Sequence, residues 1–117
     1  MAIQCKIVDI TYSISKMITT VTITLNVFDD TIVDDTGNPK ILDTKTISIS
    51  QNMLDPDALN NLNNKINNEI TEYLTRCKTN FDRLLSVFGT LDVDVILNNM
   101  KTDLQTAIDD AVSTIFV

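Results

Sequence analysis

The residues best placed to do chemistry in this 117-residue chain are carboxylates, because Asp29, Asp30, Asp34 and Asp35 fall within one short stretch. Clustered carboxylates can coordinate a hard cation or share a proton. Their spacing does not match an EF-hand loop, and the stretch reads instead as a solvated connection between strands, holding neither metal nor cofactor. Asp92 and Asp94 are better explained as acids at the positive end of a helix. There is no histidine, which removes the commonest general base near neutral pH, the usual partner of a nucleophilic Ser or Cys, and the commonest metal ligand. Two glycines are too few to write a phosphate loop or a dinucleotide fingerprint. Cys5 and Cys77 form no C-x-x-C pair, so neither a zinc knuckle nor a redox motif is present; both are expected to be reduced and mostly buried. No residue is assigned a catalytic, cofactor-binding or metal-binding role, and the expectation is a protein that is not an enzyme.

The elements that position these residues follow from hydrophobic spacing. Ile3, Cys5 and Ile7 lie on one parity and Val8, Ile10, Tyr12 and Ile14 on the other, a phase switch that one inserted residue, a β-bulge near Ile7, would produce. After a short polar connection at Ser15 and Lys16, residues 17 to 28 place Met17, Val21, Ile23, Leu25 and Val27 on one side and Thr20, Thr22, Thr24 and Asn26 on the other, which is a half-buried strand. Turn formers fill Asp34 to Pro39. From Ile41 to Ser50 the odd positions hold Ile41, Ile47 and Ile49 while the even ones hold Thr44, Thr46, Ser48 and Ser50. Two adjacent strands therefore present a Thr/Ser face.

At Asp55-Pro56-Asp57 the period changes from two to about 3.6, with Asp55 as N-cap and Pro56 at the first helical position. Leu59, Leu62, Ile66, Ile70, Tyr73, Cys77, Phe81, Leu84 and Phe88 form a stripe whose order repeats every eleven residues. Six asparagines between Asn60 and Asn68 are weak helix formers, so the first turns are open to fraying and Thr79-Asn80 to a break. Gly89 stops the helix, Thr90 or Asp92 caps the next, and Val93, Leu97, Met100, Leu104, Ile108, Ala111 and Ile115 continue the spacing. The fold expected is α+β, one domain over 1–117, with an N-terminal antiparallel β-meander of about three strands (1–52) followed by a C-terminal two-helix hairpin (55–115).

Nine basic residues against sixteen acidic ones give a net charge of −7, which repels phosphate backbones and anionic bilayers. Neither nucleic acid nor membrane is expected as a partner; no run approaches the roughly 18 apolar residues of a span, and Met1 to Lys6 does not read as a signal sequence. The acids could instead imitate DNA and occupy a host protein, although Asn and Thr dilute them. Leu74 and Leu85 flank the first stripe and Val95, Ile96 and Val112 the second, more apolar positions than a three-stranded sheet can cover, and these five are the candidate interface residues. Large exposed apolar patches mark interaction sites, so a homo-oligomer is expected.

Taken together, the start Met1-Ala2-Ile3, the Thr-rich meander, the Asp34 to Pro39 turn and the two closing helices resemble the small virion structural proteins of tailed bacteriophages. The resemblance is one of arrangement and rests on no motif, so no functional residue carries over. It implies a non-enzymatic structural or assembly protein, repeated in a neck, connector, capsid, tail or baseplate. Its partners would be itself and other virion proteins, with assembly in the host cytoplasm and residence in the virion. The alternative is a small acidic binding module that inhibits a host protein.

Overall fold

The computed structural model describes residues 3–117, as β1 (Ile3–Ser15), β2 (Ile18–Val33), β3 (Pro39–Asn52), α1 (Ala58–Phe88) and α2 (Val93–Ile115). The class is α+β, and the strands form an antiparallel meander in the order β1-β2-β3. Met1 and Ala2, part of the resemblance above, lie outside the described residues. The chain divides into two units, the first ending at Cys77, inside α1, and the second running from Lys78 to Val117.

In the first unit, the strand phases follow the sequence pattern with two informative departures. The bulge expected near Ile7 is present: Ile7 pairs with Leu25 and Asp9 with Thr24, which leaves Val8 unpaired. One extra residue there keeps Ile3, Cys5, Ile7, Ile10, Tyr12 and Ile14 on the same side of the sheet as Val21 to Val27. A second irregularity was not expected. Val27 pairs with Asp43 but Phe28 pairs with Ile41, so Ile41 moves to the face opposite Ile47 and Ile49, and Asp43 takes the inward position. β1 and β2 are joined through Lys16 and Met17, with φ of 51° and 64°. Two consecutive positive-φ residues make the type I′ geometry that matches strand twist, usually supplied by Asn-Gly. Neither side chain here relieves the left-handed conformation, which costs about 1–2 kcal/mol per residue. Met17, expected to open the second strand, lies in this turn.

The outward face of the sheet is polar and cross-linked by hydroxyls. Thr20 pairs with Ser50 at 2.9 Å, Thr22 with Ser48 at 3.1 Å, and the Thr44 hydroxyl donates to Asn26 Oδ1 at 2.8 Å. Such cross-strand pairs stabilise a sheet by about 0.2–1 kcal/mol each. The inward face holds the core: Val21, Ile23, Leu25 and Val27 of β2 and Ile47 of β3 are buried, with Ala58, Tyr73 and Cys77 of α1. Lys65 of α1 donates to Gln51 Oε1 at 2.8 Å and Tyr73 to Asp43 Oδ2 at 2.7 Å, both on β3. These contacts set α1 over the β2 and β3 side of the sheet.

Asp55 Oδ1 accepts the Asp57 amide at 2.9 Å, but α1 begins only at Ala58, so Pro56 lies in the turn before the helix instead of at its first position; α1 then runs unbroken through the asparagine run and Thr79-Asn80. Asn costs only a few tenths of a kcal/mol per helical position, less than the burial of Tyr73 and Cys77 returns.

In the second unit, Phe81 and Leu91 are buried, Gly89 takes a φ of +72°, and the Asp92 carboxylate accepts the amides of Asp94 and Val95 at 3.1 and 3.4 Å. The stop and the cap are those the sequence signals. The hairpin is not formed. The last turns of α1 and α2 are two pieces of one long helix bent by 37°, and α2 buries no residue. Gly89 interrupts the helix and Asp92 restarts it three residues later, and nothing in the short connection itself imposes a reversal.

Candidate functional site

The acidic stretch does not converge on a ligand. Asp29 is 1% exposed, and its Oδ1 accepts both the Thr31 amide at 2.9 Å and the Thr31 hydroxyl at 2.6 Å. Asp30 Oδ2 accepts from Gln4 Nε2 at 3.1 Å. Asp34 Oδ1 accepts the Thr36 amide and hydroxyl at 2.9 and 2.6 Å, and those bonds hold its carboxyl below the usual aspartate range. Asp29 and Asp34 organise their own segments of backbone, while Asp30 reaches across to the Gln4 side chain of β1. Among the described residues, no group of three or more His, Cys, Asp or Glu side chains is placed to hold a metal ion, and no helix is long and apolar enough to cross a membrane.

The polar cluster that the fold does build was not foreseen. Tyr73 Oη donates to Asp43 Oδ2, and Cys77 Sγ lies 3.8 Å from the same oxygen. Burial, then the Asp43 bond, pushes the Tyr73 phenol far above its ordinary value of 10.0. Burial also raises the Cys77 thiol, the opposite of what a nucleophilic cysteine needs. The cluster fastens helix to strand. Its signal in the sequence was an Asp on the inward parity of β3 opposite a Tyr and a Cys one turn apart.

Cys77 is buried as expected, but Cys5 is exposed. Its thiol is raised by partial burial and then by the charge of Cys77. Cys5 escapes burial because β1 is uncovered. Exposure climbs along the inward side of β1 from 40% at Ile3 to 75% at Tyr12, with Ile7, Ile10 and Ile14 between. The outward side has a shallow concavity of 330 Å³ lined by Lys6, Val8, Phe28 and Ile41 among others; it follows from the two bulges, and no charged constellation converges in it.

On α2 the whole stripe Val93, Leu97, Met100, Leu104, Ile108 and Ile115 is exposed. Of the five candidate interface residues, Leu74, Leu85 and Ile96 are half-buried, while Val95 and Val112 are exposed. At 100° per residue Val112 lies beside the α2 stripe, whereas Val95 lies about 200° round the helix from Val93. The exposed apolar surface is thus centred on the stripe itself and on β1. No protein-family model, curated protein or solved structure matches this chain.

Proposed function

We propose that this protein is a non-enzymatic structural or assembly component that works as repeated copies, in the setting its arrangement resembles, the virion of a tailed bacteriophage. The observation that carries the reading is the pair of bare apolar rows, one along β1 and one along the full length of α2. A soluble chain with a net charge of −7 has no reason to keep two such rows wet, and contiguous apolar patches beyond a few hundred Å² mark contact surfaces. The edge of β1 adds a line of unpaired backbone groups. In this reading the partners are other copies and neighbouring virion proteins, assembled in the host cytoplasm without a cofactor.

Light scattering coupled to size exclusion at micromolar concentration tests it. A mass that is a multiple of 13.1 kDa, little affected by salt, is expected. A 13.1 kDa monomer that also enters no larger particle would overturn the reading. Salt-sensitive capture of a host protein by that monomer would establish the acidic inhibitor instead, because steered electrostatic binding weakens as ionic strength rises.

A further inference from the structure

The uncovered strand of the first unit is also a sheet edge. β1 ends the order β1-β2-β3, so the backbone groups on its outer side have no strand partner and form a template for another chain. We propose that this partner is the same strand of a second copy, paired antiparallel so that Lys6 of each lies opposite Asp9 of the other and the two meanders join into one continuous sheet. The inference rests on the assembly reading and names the strand that makes its contact, using residues of the first unit alone.

The bulge supplies the first argument. Lys6 and Asp9 are the charged residues between Ile3 and Ser15, and at a spacing of three an unbroken strand would put them on opposite faces. With Val8 left out of the ladder, Lys6 pairs with Asn26 and Asp9 with Thr24, so both stand exposed on the outward face with opposite signs. Neither has an ion-pair partner among the described residues. A twofold axis between Ile7 and Val8 sets each lysine opposite the partner's aspartate, a favourable cross-strand pair made twice. The same register matches the apolar row to itself, with Ile3 opposite Tyr12 and Cys5 opposite Ile10, and Gln4 meets Thr11 on the outward face. Only at the axis, where the bulges meet, is the ladder interrupted. A slip of one residue would set the apolar row against the polar face, and a slip of two that moves Lys6 opposite Thr11 leaves the charges unmatched.

The other edge supplies the second argument. β3 begins at Pro39, and its Asp43 and Lys45, paired with Val27 and Leu25, place charges on the inward parity; proline and inward charges are devices that blunt an edge. A head-to-tail contact of β1 on the partner's β3 would set the apolar row of β1 beside those charges, whereas β1 on β1 does not. β1 itself contains no proline. A helix, the chain's own α2 included, closes its backbone hydrogen bonds internally and has none to give an edge. Pairing of β1 with β1 closes with twofold symmetry.

Cross-linking in the full chain reads the register. Ile10→Cys, at a position 59% exposed, sets a thiol opposite the partner's native Cys5, at the Cα spacing of about 4.5–5.5 Å between opposed residues, which a disulfide spans. Within one chain the two positions lie roughly 16 Å apart at about 3.3 Å per residue, too far to bond. Mild oxidation is expected to give a disulfide-linked dimer at least about tenfold more abundant than from Tyr12→Cys, and Cys5→Ser in the Ile10→Cys background should abolish it. By sedimentation, Lys6→Asp should weaken association about tenfold by setting like charges opposite each other, and Lys6→Asp combined with Asp9→Lys should restore it. Equal cross-linking from Tyr12→Cys, a cross-link that persists in Cys5→Ser, undiminished association in Lys6→Asp, a charge exchange that restores nothing, or no cross-link in a protein that light scattering finds oligomeric would each overturn this contact while sparing the assembly reading. A monomer by light scattering would overturn both.

Discussion

β2 and α2 carry equally regular apolar rows and meet opposite fates. On β2, Leu25 is 2% and Val27 0% exposed; on α2 nothing is buried, and Leu104 is 58% exposed. The rows differ in what lies across from them. β2 is the central strand, flanked by β1 and β3 and roofed by α1, whereas the break at Gly89 to Asp92 carries α2 onward instead of folding it back. Periodicity identifies a face; only the path of the chain supplies its cover.

Five measurements break or sharpen this contrast. The largest effect is expected from Leu104→Asp: association should weaken by about 3–5 kcal/mol, the cost of an unpaired charge in a contact, while unfolding of the dissociated protein is unchanged. Sedimentation and urea titration on the same samples separate the two quantities. Leu25→Ala should behave inversely and lower unfolding stability by about 2–5 kcal/mol through lost burial and a residual cavity. An equal loss from Leu104→Ala in the dissociated chain would erase the distinction between the regions.

Tyr73→Phe should cost about 1.5–3 kcal/mol, since the bond lost is to a charged acceptor. Its pH dependence has a definite sign. The folded phenol titrates above the ordinary 10.0, so its contribution is fully present below that value and is lost as pH rises above it; urea melts of wild type and variant should converge in strong alkali. A smaller contrast is kinetic: Cys5 should react with a thiol reagent at least about tenfold faster than Cys77, because access governs the rate when both thiols are raised. Asp92→Ala should cost the helix start about 1 kcal/mol, visible as a small loss of helical signal without loss of the sheet.

Much of this architecture was written in local sequence. The bulge at Val8, the turn from Asp34, the Thr/Ser rungs, the cap at Asp92 and the stop at Gly89 each depend on a few neighbouring residues whose chemistry allows one local geometry. The Lys16-Met17 turn was less legible, because neither residue advertises positive φ. What the sequence could not decide was which rows meet. Ile3 to Ile14 and Val93 to Ile115 have the same signature as the buried core of β2, and burial is a property of pairs of surfaces distant in the chain. The sequence by itself determined the faces, the caps and the acidic charge. Tertiary structure decided that α1 lies on the side of β3 through Lys65 and Tyr73, that Asp43 accepts the Tyr73 hydroxyl, and that the inward row of β1 and the stripe of α2 are exposed, because burial needs a covering surface that local periodicity does not supply.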